Sequence, residues 1–389
     1  MRLDAPYPIS RRRVLRDAPL SVMIHYRQEK AFTLLTAEDF KDYASGRRKG
    51  LGGFVMRSMM LAASKLYGVG VRYRNRQYDR GAKPSEEVGV PVISIGNLTL
   101  GGTGKTPTAA WLARWFRRHD IRVTLISRGY GAEQGELNDE ARELDDLLPD
   151  VPHLQNPDRV SAAKVAVEEL AAQVLLLDDA FQHRRIARSL DIVLLDATEP
   201  FGYGYLFPRG MLREPLAGLA RADVLALTRA DAVSAEERQK IHNQARQYNS
   251  QAIWIEMTHR PAHLRNADGE TFTLDQLQGK RVAAFCGIGN PAGFRHTISS
   301  CGANLVELKP FPDHYIYKAP DIEALADWVA KQRVDFVLCT HKDLVKVGVN
   351  QLGETPLAAI VIEAEITVGQ AELEEQLNKL VAQVPPDAF

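Results

Sequence analysis

The sequence has few cysteines, no net charge and no long apolar run. Its three cysteines, Cys286, Cys301 and Cys339, are far apart and form no CxxC pair, which argues against a disulfide framework or a zinc site and fits a reducing cytosol. Basic and acidic residues both number 49, so the chain as a whole has no field that attracts nucleic acid. No apolar run reaches the roughly 18 residues of a spanning helix or follows the amino terminus as in a signal peptide. We therefore expect no transmembrane span, no secretion and no nucleic-acid partner.

The length of 389 residues exceeds that of a single domain of roughly 100 to 200 residues, so we expect two domains and an appendage. A hydrophobic share of 45% is ordinary for a globular protein and allows a sizeable core. We predict four segments: a weakly structured extension over 1–48, a basic amphipathic segment over 49–83, a first α/β domain over 84–261 and a smaller α/β domain over 262–389.

The segment from Leu51 to about Val71 is mostly apolar, and Arg57 and Lys65 are its only charged residues. Wound as a helix at about 100° per residue, it has a wide apolar face, and basic residues flank it on both sides. This pattern is typical of a helix that lies in an anionic membrane interface. The alternative is an amino-terminal helix docked on its own domain.

From Val90 onward, short apolar runs alternate with helical stretches. Strands that are apolar on both faces and are separated by amphipathic helices predict a doubly wound, mostly parallel α/β sheet covered on both sides. The pattern breaks between about Thr258 and Lys280, which looks like a linker with short strands. A second α/β unit follows it.

The segment GNLTLGGTGKTP, residues 96–107, lies between an apolar strand and a helix. A phosphate-binding loop requires this context, because its glycines let backbone N–H groups converge on phosphate oxygens at the start of a helix. We expect Lys105 to contact the β- and γ-phosphates of a nucleotide and Thr106 to hold Mg²⁺. Thr99 stands where the general template has glycine. The predicted nucleotide-binding residues are Gly101, Gly102, Thr103, Gly104, Lys105 and Thr106.

Two carboxylates follow another apolar strand, in QVLLLDDAFQH. Asp178 and Asp179 are therefore expected at the carboxyl edge of the sheet, where an acid binds magnesium or orients its water shell. The alternative is that they cap the next helix.

Four further loops carry candidate side chains, each with a plain structural alternative. Arg128, after a strand, reaches a phosphate or pairs with an acid. Asp139 lies in a polar loop, where acids are more often solvated. Arg213 beside Glu214 suits an anionic substrate or magnesium, or forms a surface ion pair. His314, among aromatic residues, is more often packed than catalytic.

The set GNLTLGGTGKTP, SRGYG, DDAFQH, PRGMLREP, FPDHYIY and THKDLVK, in this order and at these separations, resembles the tetraacyldisaccharide 4'-kinase family of lipid A synthesis. The resemblance covers about residue 50 to the carboxyl end. It implies transfer of the γ-phosphate of ATP, with Mg²⁺, to the 4'-hydroxyl of an acylated glucosamine disaccharide 1-phosphate. It also implies a peripheral protein on the cytoplasmic face of the inner membrane, at an anionic membrane surface. No obligate protein partner is inferred.

The resemblance also implies a role for each candidate residue. Asp139 looks like the catalytic acid–base residue, working with His314 once the second domain closes over the active site, and Lys105 acts on the phosphates. Residues implied near magnesium are Thr106, Asp178, Asp179 and Glu214. Residues implied near phosphates or sugar are Arg128, Gln182, His183 and Arg213. The chain differs from the usual family pattern at Asn138 and Ala180, where the family usually has glycine, and in residues 1–48, which are an addition.

Two other functions fit the same phosphate loop. One is a kinase or ligase of a soluble metabolite, with the helix over 51–71 buried in the fold. The other is a nucleotide-switched binding protein at the membrane, in which hydrolysis gates a partner.

Overall fold

The computed structural model describes residues 37–129, 139–313 and 315–384 of the chain. The α-helices in these residues are α1 (Ala37–Ser45), α2 (Leu51–Asp79), α3 (Lys105–Arg118), α4 (Asp139–Leu147), α5 (Arg159–Glu169), α6 (Ala235–Arg246), α7 (Pro291–Ser300), α8 (Ala319–Gln332), α9 (His341–Val347) and α10 (Gln370–Val381). The strands are β1 (Val92–Asn97), β2 (Val123–Ser127), β3 (His153–Gln155), β4 (Val174–Asp178), β5 (Leu190–Asp196), β6 (Val224–Thr228), β7 (Ile253–Arg265), β8 (Thr271–Phe272), β9 (Arg281–Cys286), β10 (Asn304–Pro310), β11 (Phe336–Thr340), β12 (Gln351–Leu352) and β13 (Thr355–Val368).

One continuous sheet runs through both halves of the molecule, in the order β10-β9-β11-β13-β7-β6-β5-β1-β4-β2-β3. Within the first half, strands β1 to β7 all pair in parallel. Within the second half, β9, β10, β11 and β13 also pair in parallel. Every residue of β1, β2, β4 and β6 is buried, because helices cover both faces of the sheet. The prediction of a doubly wound, mostly parallel sheet is confirmed.

Strands β7 and β13 form an antiparallel ribbon that joins the two halves. Strand β7 continues unbroken through residue 262, so the expected linker between Thr258 and Lys280 is wrong at its start. The reason is burial: the second part of β7 alternates between half-buried and exposed positions, so its sequence is polar and contains Pro261. Such a ribbon lacks the apolar run by which the other strands were predicted.

The last helix returns to the first half of the molecule. Leu373, Leu377 and Leu380 of α10 belong to the same buried cluster as Ile93 of β1 and Phe116 of α3. The end of the predicted second domain therefore packs on the first core. The division of the chain at residue 262 stays a prediction.

Helix α1 lies within the segment over 1–48 that was expected to be weakly structured, and for residues 37–45 that expectation is wrong. The Phe40 and Phe207 rings lie 5.7 Å apart, and the Arg209 guanidinium donates to the Ala44 carbonyl at 2.8 Å. These partners are remote in sequence, so the helix could not be predicted from the local hydrophobic periodicity. The remainder of the extension, residues 1–36, lies outside the described residues.

Helix α2 extends beyond the predicted segment and has two different faces. One face is docked on the protein and buries Gly53, Met60, Ser64 and Gly68. The opposite face is exposed and apolar, with the residues Leu51, Phe54, Val55, Met59, Leu66, Val69 and Tyr73. Ser64 lies on the docked face, and its hydroxyl donates to the Leu61 carbonyl at 2.9 Å. Among the described helices, none combines the length and the apolar character needed to cross a membrane.

The packing of α10 predicts a stability effect at Leu377, whose side chain is fully buried. We expect Leu377→Ala to lower the free energy of unfolding by about 2 to 5 kcal/mol, because it leaves a cavity in the first core. Lys379→Ala, on the exposed side of the same helix, should change it by less than about 0.5 kcal/mol. Urea unfolding followed by tryptophan fluorescence measures both, and equal midpoints would contradict the docking of α10.

Candidate active site

The glycine loop joins β1 to α3 as the sequence predicts. Gly101 and Gly104 have φ values of 111° and 85°, which side chains other than glycine rarely adopt. A Cβ added at Gly104 would lie 2.7 Å from Cε1 of His259, so the loop also lies tightly against β7. Above Gly102 there is open space, with no atom within 4 Å of an added Cβ. Lys105 and Thr106 form the first turn of α3, where backbone N–H groups favour an anion.

Lys105, Asp179 and Arg213 converge beside this loop. Asp179 follows the last residue of β4 and has a left-handed backbone, with φ of 47°. Its Oδ1 lies 3.6 Å from Nζ of Lys105, and Nη1 of Arg213 lies 2.7 and 2.8 Å from its two oxygens. Burial raises the pKa of the Asp179 carboxyl, but Lys105, Arg213 and Arg159 outweigh burial and hold that pKa well below its usual value. Asp179 is therefore ionised at neutral pH.

Arg159 is a further member of the site that the sequence reasoning missed. It is buried at the first position of α5, and its Nη2 donates to the carbonyls of Asp178 and Asp179 at 2.8 and 3.1 Å. Burial lowers the pKa of Arg159, the charges of Asp179 and Asp178 raise it, and those of Arg128 and Arg213 lower it further. A positive charge at the start of a helix is unfavourable because it opposes the helix dipole. This unusual position of Arg159 is the sequence feature that could have marked it as functional.

Glu214 is a fully buried carboxylate shared by three side chains. Nη2 of Arg221 lies 2.9 and 2.8 Å from its two oxygens, and Nδ2 of Asn75 and Nε2 of Gln182 each donate to it at 3.0 Å. Nε2 of Gln182 also donates to the Asn97 carbonyl at 2.9 Å. Glu214 thus ties α2 to two loops, while its predicted position near magnesium stays a prediction.

Helix α2 forms one wall of the site. The Tyr67 hydroxyl donates to the Arg213 carbonyl at 2.7 Å, and Nη2 of Arg74 donates to the Gln182 carbonyl at 3.0 Å. The docked face therefore contacts two of the three loops that carry predicted substrate-binding residues, those of Arg213 and Gln182. The sequence indicated that α2 either docks or lies on a membrane, and the contacts show that one face docks.

Backbone hydrogen bonds join the glycine loop to the segment that carries Arg213. The amide of Leu100 donates to the Met211 carbonyl at 2.8 Å, and the amide of Arg213 donates to the Leu98 carbonyl at 2.7 Å. These bonds fix the start of the Arg213 side chain relative to Lys105.

Two histidines near the loop are neutral at pH 7. Burial, followed by the charges of Arg159, Arg185 and Arg188, lowers the pKa of the predicted residue His183 to about 4. Burial and Arg229 lower the pKa of His259 to about 4. Neither Nε2 has a hydrogen-bond partner among the described residues.

Asp139 is the first residue of α4. Its side chain and the whole of His314 lie outside the part of the chain that the structure describes, so their roles stay predictions. The residues around position 314 form an aromatic cluster: the Phe311 and Tyr315 ring centroids are 4.8 Å apart, and Tyr317 lies 5.2 Å from each.

The site residues fit MgATP. Within the described ranges, no group of three His, Cys, Asp or Glu side chains could hold a metal by itself. Mg²⁺ in phosphate sites, however, needs only one or two carboxylates, with phosphate oxygens and water as its other ligands. Asp178, Asp179 and the Thr106 hydroxyl supply such donors beside the open glycine loop.

A parallel sheet with a glycine loop between β1 and α3, a lysine at the helix start and carboxylates after the neighbouring strand define a P-loop nucleotide-binding protein. The model of one family, LpxK or tetraacyldisaccharide-1-P 4'-kinase, matches residues 56–382. The chain belongs to this family.

Named relatives and a solved structure agree with the family match. The chain is 36% identical to the tetraacyldisaccharide 4'-kinase of Anaeromyxobacter sp. (strain K), over 87% of this chain and 94% of the relative. It is 37% identical to that of Anaeromyxobacter dehalogenans (strain 2CP-C), over 85% and 92%. A crystal structure of LpxK from Aquifex aeolicus in complex with ATP is similar, with a TM-score of 0.66 and 29% identity over 84% of this chain and 99% of that one. These matches confirm the resemblance and the prediction of an ATP-dependent tetraacyldisaccharide 4'-kinase.

The buried neutral His259 predicts part of the protein's sensitivity to acid. In the unfolded chain His259 binds a proton below its ordinary pKa of 6.5, whereas in the folded chain it stays neutral down to about pH 4. The free energy of unfolding therefore falls as the pH drops from 6.5 to about 4. The loss from this group is on the order of 3 kcal/mol. Urea unfolding at pH 7 and pH 4.5 should therefore show a smaller acid loss in His259→Gln than in the parent. Equal losses would mean that His259 is not held neutral.

Proposed function

We propose that this chain transfers the γ-phosphate of ATP to the 4'-hydroxyl of a tetraacylated glucosamine disaccharide 1-phosphate in lipid A synthesis. The observation that carries the proposal is the convergence of Lys105, Asp179 and Arg213 beside the glycine loop, in a chain of this kinase family.

Phosphoryl transfer is accelerated mainly by positioning and by neutralising the charge of the transferred group. The side chains of Lys105 and Arg213 are already held by Asp179, so little reorganisation is needed when they meet phosphate oxygens. Thr106, Asp178 and Asp179 would hold Mg²⁺, which would supply further positive charge beside the phosphates. Arg128 directly follows β2 and provides a further cation at the carboxyl edge of the sheet.

A sugar hydroxyl is a poor nucleophile near neutral pH, so a base at the hydroxyl contributes about 10² to 10⁴ in rate. We assign this role to Asp139 and His314, with the carboxylate fixing the imidazole tautomer while the pair accepts the proton. Closure of the second domain over the active site stays a prediction, and it would have to keep the contacts that join the two halves. Gln182 and His183 lie on the loop after Asp179 and are assigned to phosphate or sugar contacts.

The transfer is tested with γ-labelled ATP and tetraacyldisaccharide 1-phosphate in mixed micelles. We expect label in the lipid with the parent and none with Lys105→Ala, which loses the cation at the phosphates. Asp139→Asn and His314→Gln should lower turnover by about 10² or more while ATP affinity stays within about threefold, because both act on the acceptor hydroxyl.

The rival functions give different results in the same assay. ATP binding without labelled lipid would favour a soluble acceptor, to be sought by adding candidate sugars and nucleosides. Slow hydrolysis that a protein stimulates and the lipid does not would favour the nucleotide switch. Unchanged turnover in both Asp139→Asn and His314→Gln would remove the acid–base assignment.

The acceptor is acylated, and α2 has the surface to meet a membrane. At about 100° per residue, its exposed apolar side chains share one face roughly 140° wide. The exposed cations Lys65, Arg72 and Arg76 follow one edge of this face. We assign this face to the anionic cytoplasmic surface of the inner membrane, since cations beside an apolar face favour such binding.

Vesicle flotation tests this assignment. Leu66→Asp combined with Val69→Asp should weaken binding to phosphatidylglycerol-containing vesicles about tenfold or more, because two apolar side chains no longer enter the interface. Leu170→Asp, at another exposed leucine, is the matched control and should bind like the parent. Equal flotation of all three proteins would remove α2 from the membrane contact.

A further inference from the structure

Helix α9 lies between two segments that matter to the proposed chemistry. One is α4, which begins at Asp139. The other is residues 315–317, directly after position 314. The contacts of α9 with both segments use the buried polar side chains of His341 and Asp343 and the half-buried Lys346. Buried polar groups are costly to leave without a hydrogen-bond partner, so such contacts hold their segments in place.

On its first side, α9 holds α4. Nε2 of His341 lies 2.6 Å from Oδ2 of Asp146, and Nη2 of Arg265 in β7 lies 2.7 Å from Oδ1 of the same carboxylate. His341 is 4% exposed. The hydrogen bond from His341, aided by Arg265 and opposed by burial, lowers the pKa of Asp146. Asp146 is about two helical turns from Asp139, so fixing it fixes the backbone from which Asp139 extends.

On its second side, α9 holds the segment after position 314. The fully buried Asp343 accepts hydrogen bonds at 3.0 Å from the Tyr317 hydroxyl and from the Gly287 amide. Nζ of Lys346 donates to the Tyr315 carbonyl at 3.1 Å. Helix α9 therefore fixes the position of residues 315–317 relative to α4.

We propose that His341 is a positioning residue for phosphoryl transfer: through Asp146 it sets α4, and with it Asp139, relative to the segment that carries His314. The proposal rests on the assignment of Asp139 and His314 under Proposed function. A displacement of about 1 Å in such a pair costs roughly 10² in rate, so loss of this contact should appear in turnover.

The His341 variants should fold. Helix α4 keeps Leu144 in the first core, and Asp146 keeps its pair with Arg265. Asp145 offers a matched control on the same helix, because its carboxylate lies 3.5 Å from Nδ1 of His153 in β3 and does not take part in the α9 contact.

Steady-state kinetics with the full chain tests the proposal. His341→Ala should lower kcat about 10- to 100-fold, with KM for ATP within about threefold of the parent. His341→Gln keeps an N–H donor near the Nε2 position and should recover kcat to within about threefold of the parent. Asp145→Asn should keep kcat within about threefold. Equal losses in His341→Ala and Asp145→Asn, or no recovery with glutamine, would overturn the proposal.

Two further measurements separate this contact from the catalytic assignment. Hydrogen exchange of the α4 amides should be about tenfold or more faster in His341→Ala, and unchanged exchange would overturn the contact itself. In an Asp139→Asn background, His341→Ala should cost less than about twofold in kcat, since the two changes act on one step. If the kcat losses of the two single variants multiply in the double variant, the proposal is overturned. A fully active Asp139→Asn protein would overturn the assignment on which the proposal rests.

Discussion

The buried carboxylate of Glu214 is the constraint on which the site depends. A carboxylate removed from water costs several kcal/mol unless its oxygens are fully paired. Its partners come from α2, from the loop after β4 and from the 3-10 helix Leu216–Arg221, so these three segments meet at one point. Their meeting brings Arg213, the neighbour of Glu214, to Asp179 and so to Lys105. Residues far apart in the chain are thereby brought into one charged cluster beside the glycine loop.

Features of the fold and the site that depend on neighbouring residues could be predicted from the sequence. The glycine loop, the strand before it and the carboxylates after β4 were predicted because each is a short pattern with its own local context. Arg159 was missed because its partners, the Asp178 and Asp179 carbonyls, lie on another element 19 and 20 residues along the chain. The contact of His341 with Asp146 was missed because 195 residues separate the two. The second part of β7, from Thr258 onward, was predicted as a linker because it is mostly polar and alternates between half-buried and exposed positions.

The β7–β13 ribbon does more than connect the two halves. His259 in β7 occupies the space beside Gly104 of the phosphate loop, and Arg265, six residues further along the same strand, holds Asp146 of α4. One rigid strand therefore contacts both the nucleotide loop and the helix that begins at Asp139. A displacement of β7 along its own length would therefore act on both contacts, because the length of an extended strand is nearly fixed.

The two faces of α2 also set the height of the site above a bilayer. An α-helix with its side chains is only about 10 to 12 Å across. With the exposed face on a membrane, as proposed, the opposite face and the Arg213 and Gln182 backbones bonded to it lie about one helix diameter from the lipid surface. In that arrangement a sugar head group would meet the phosphate while its acyl chains stayed in the bilayer. The protein would then avoid the energetic cost of extracting a four-chain lipid into water.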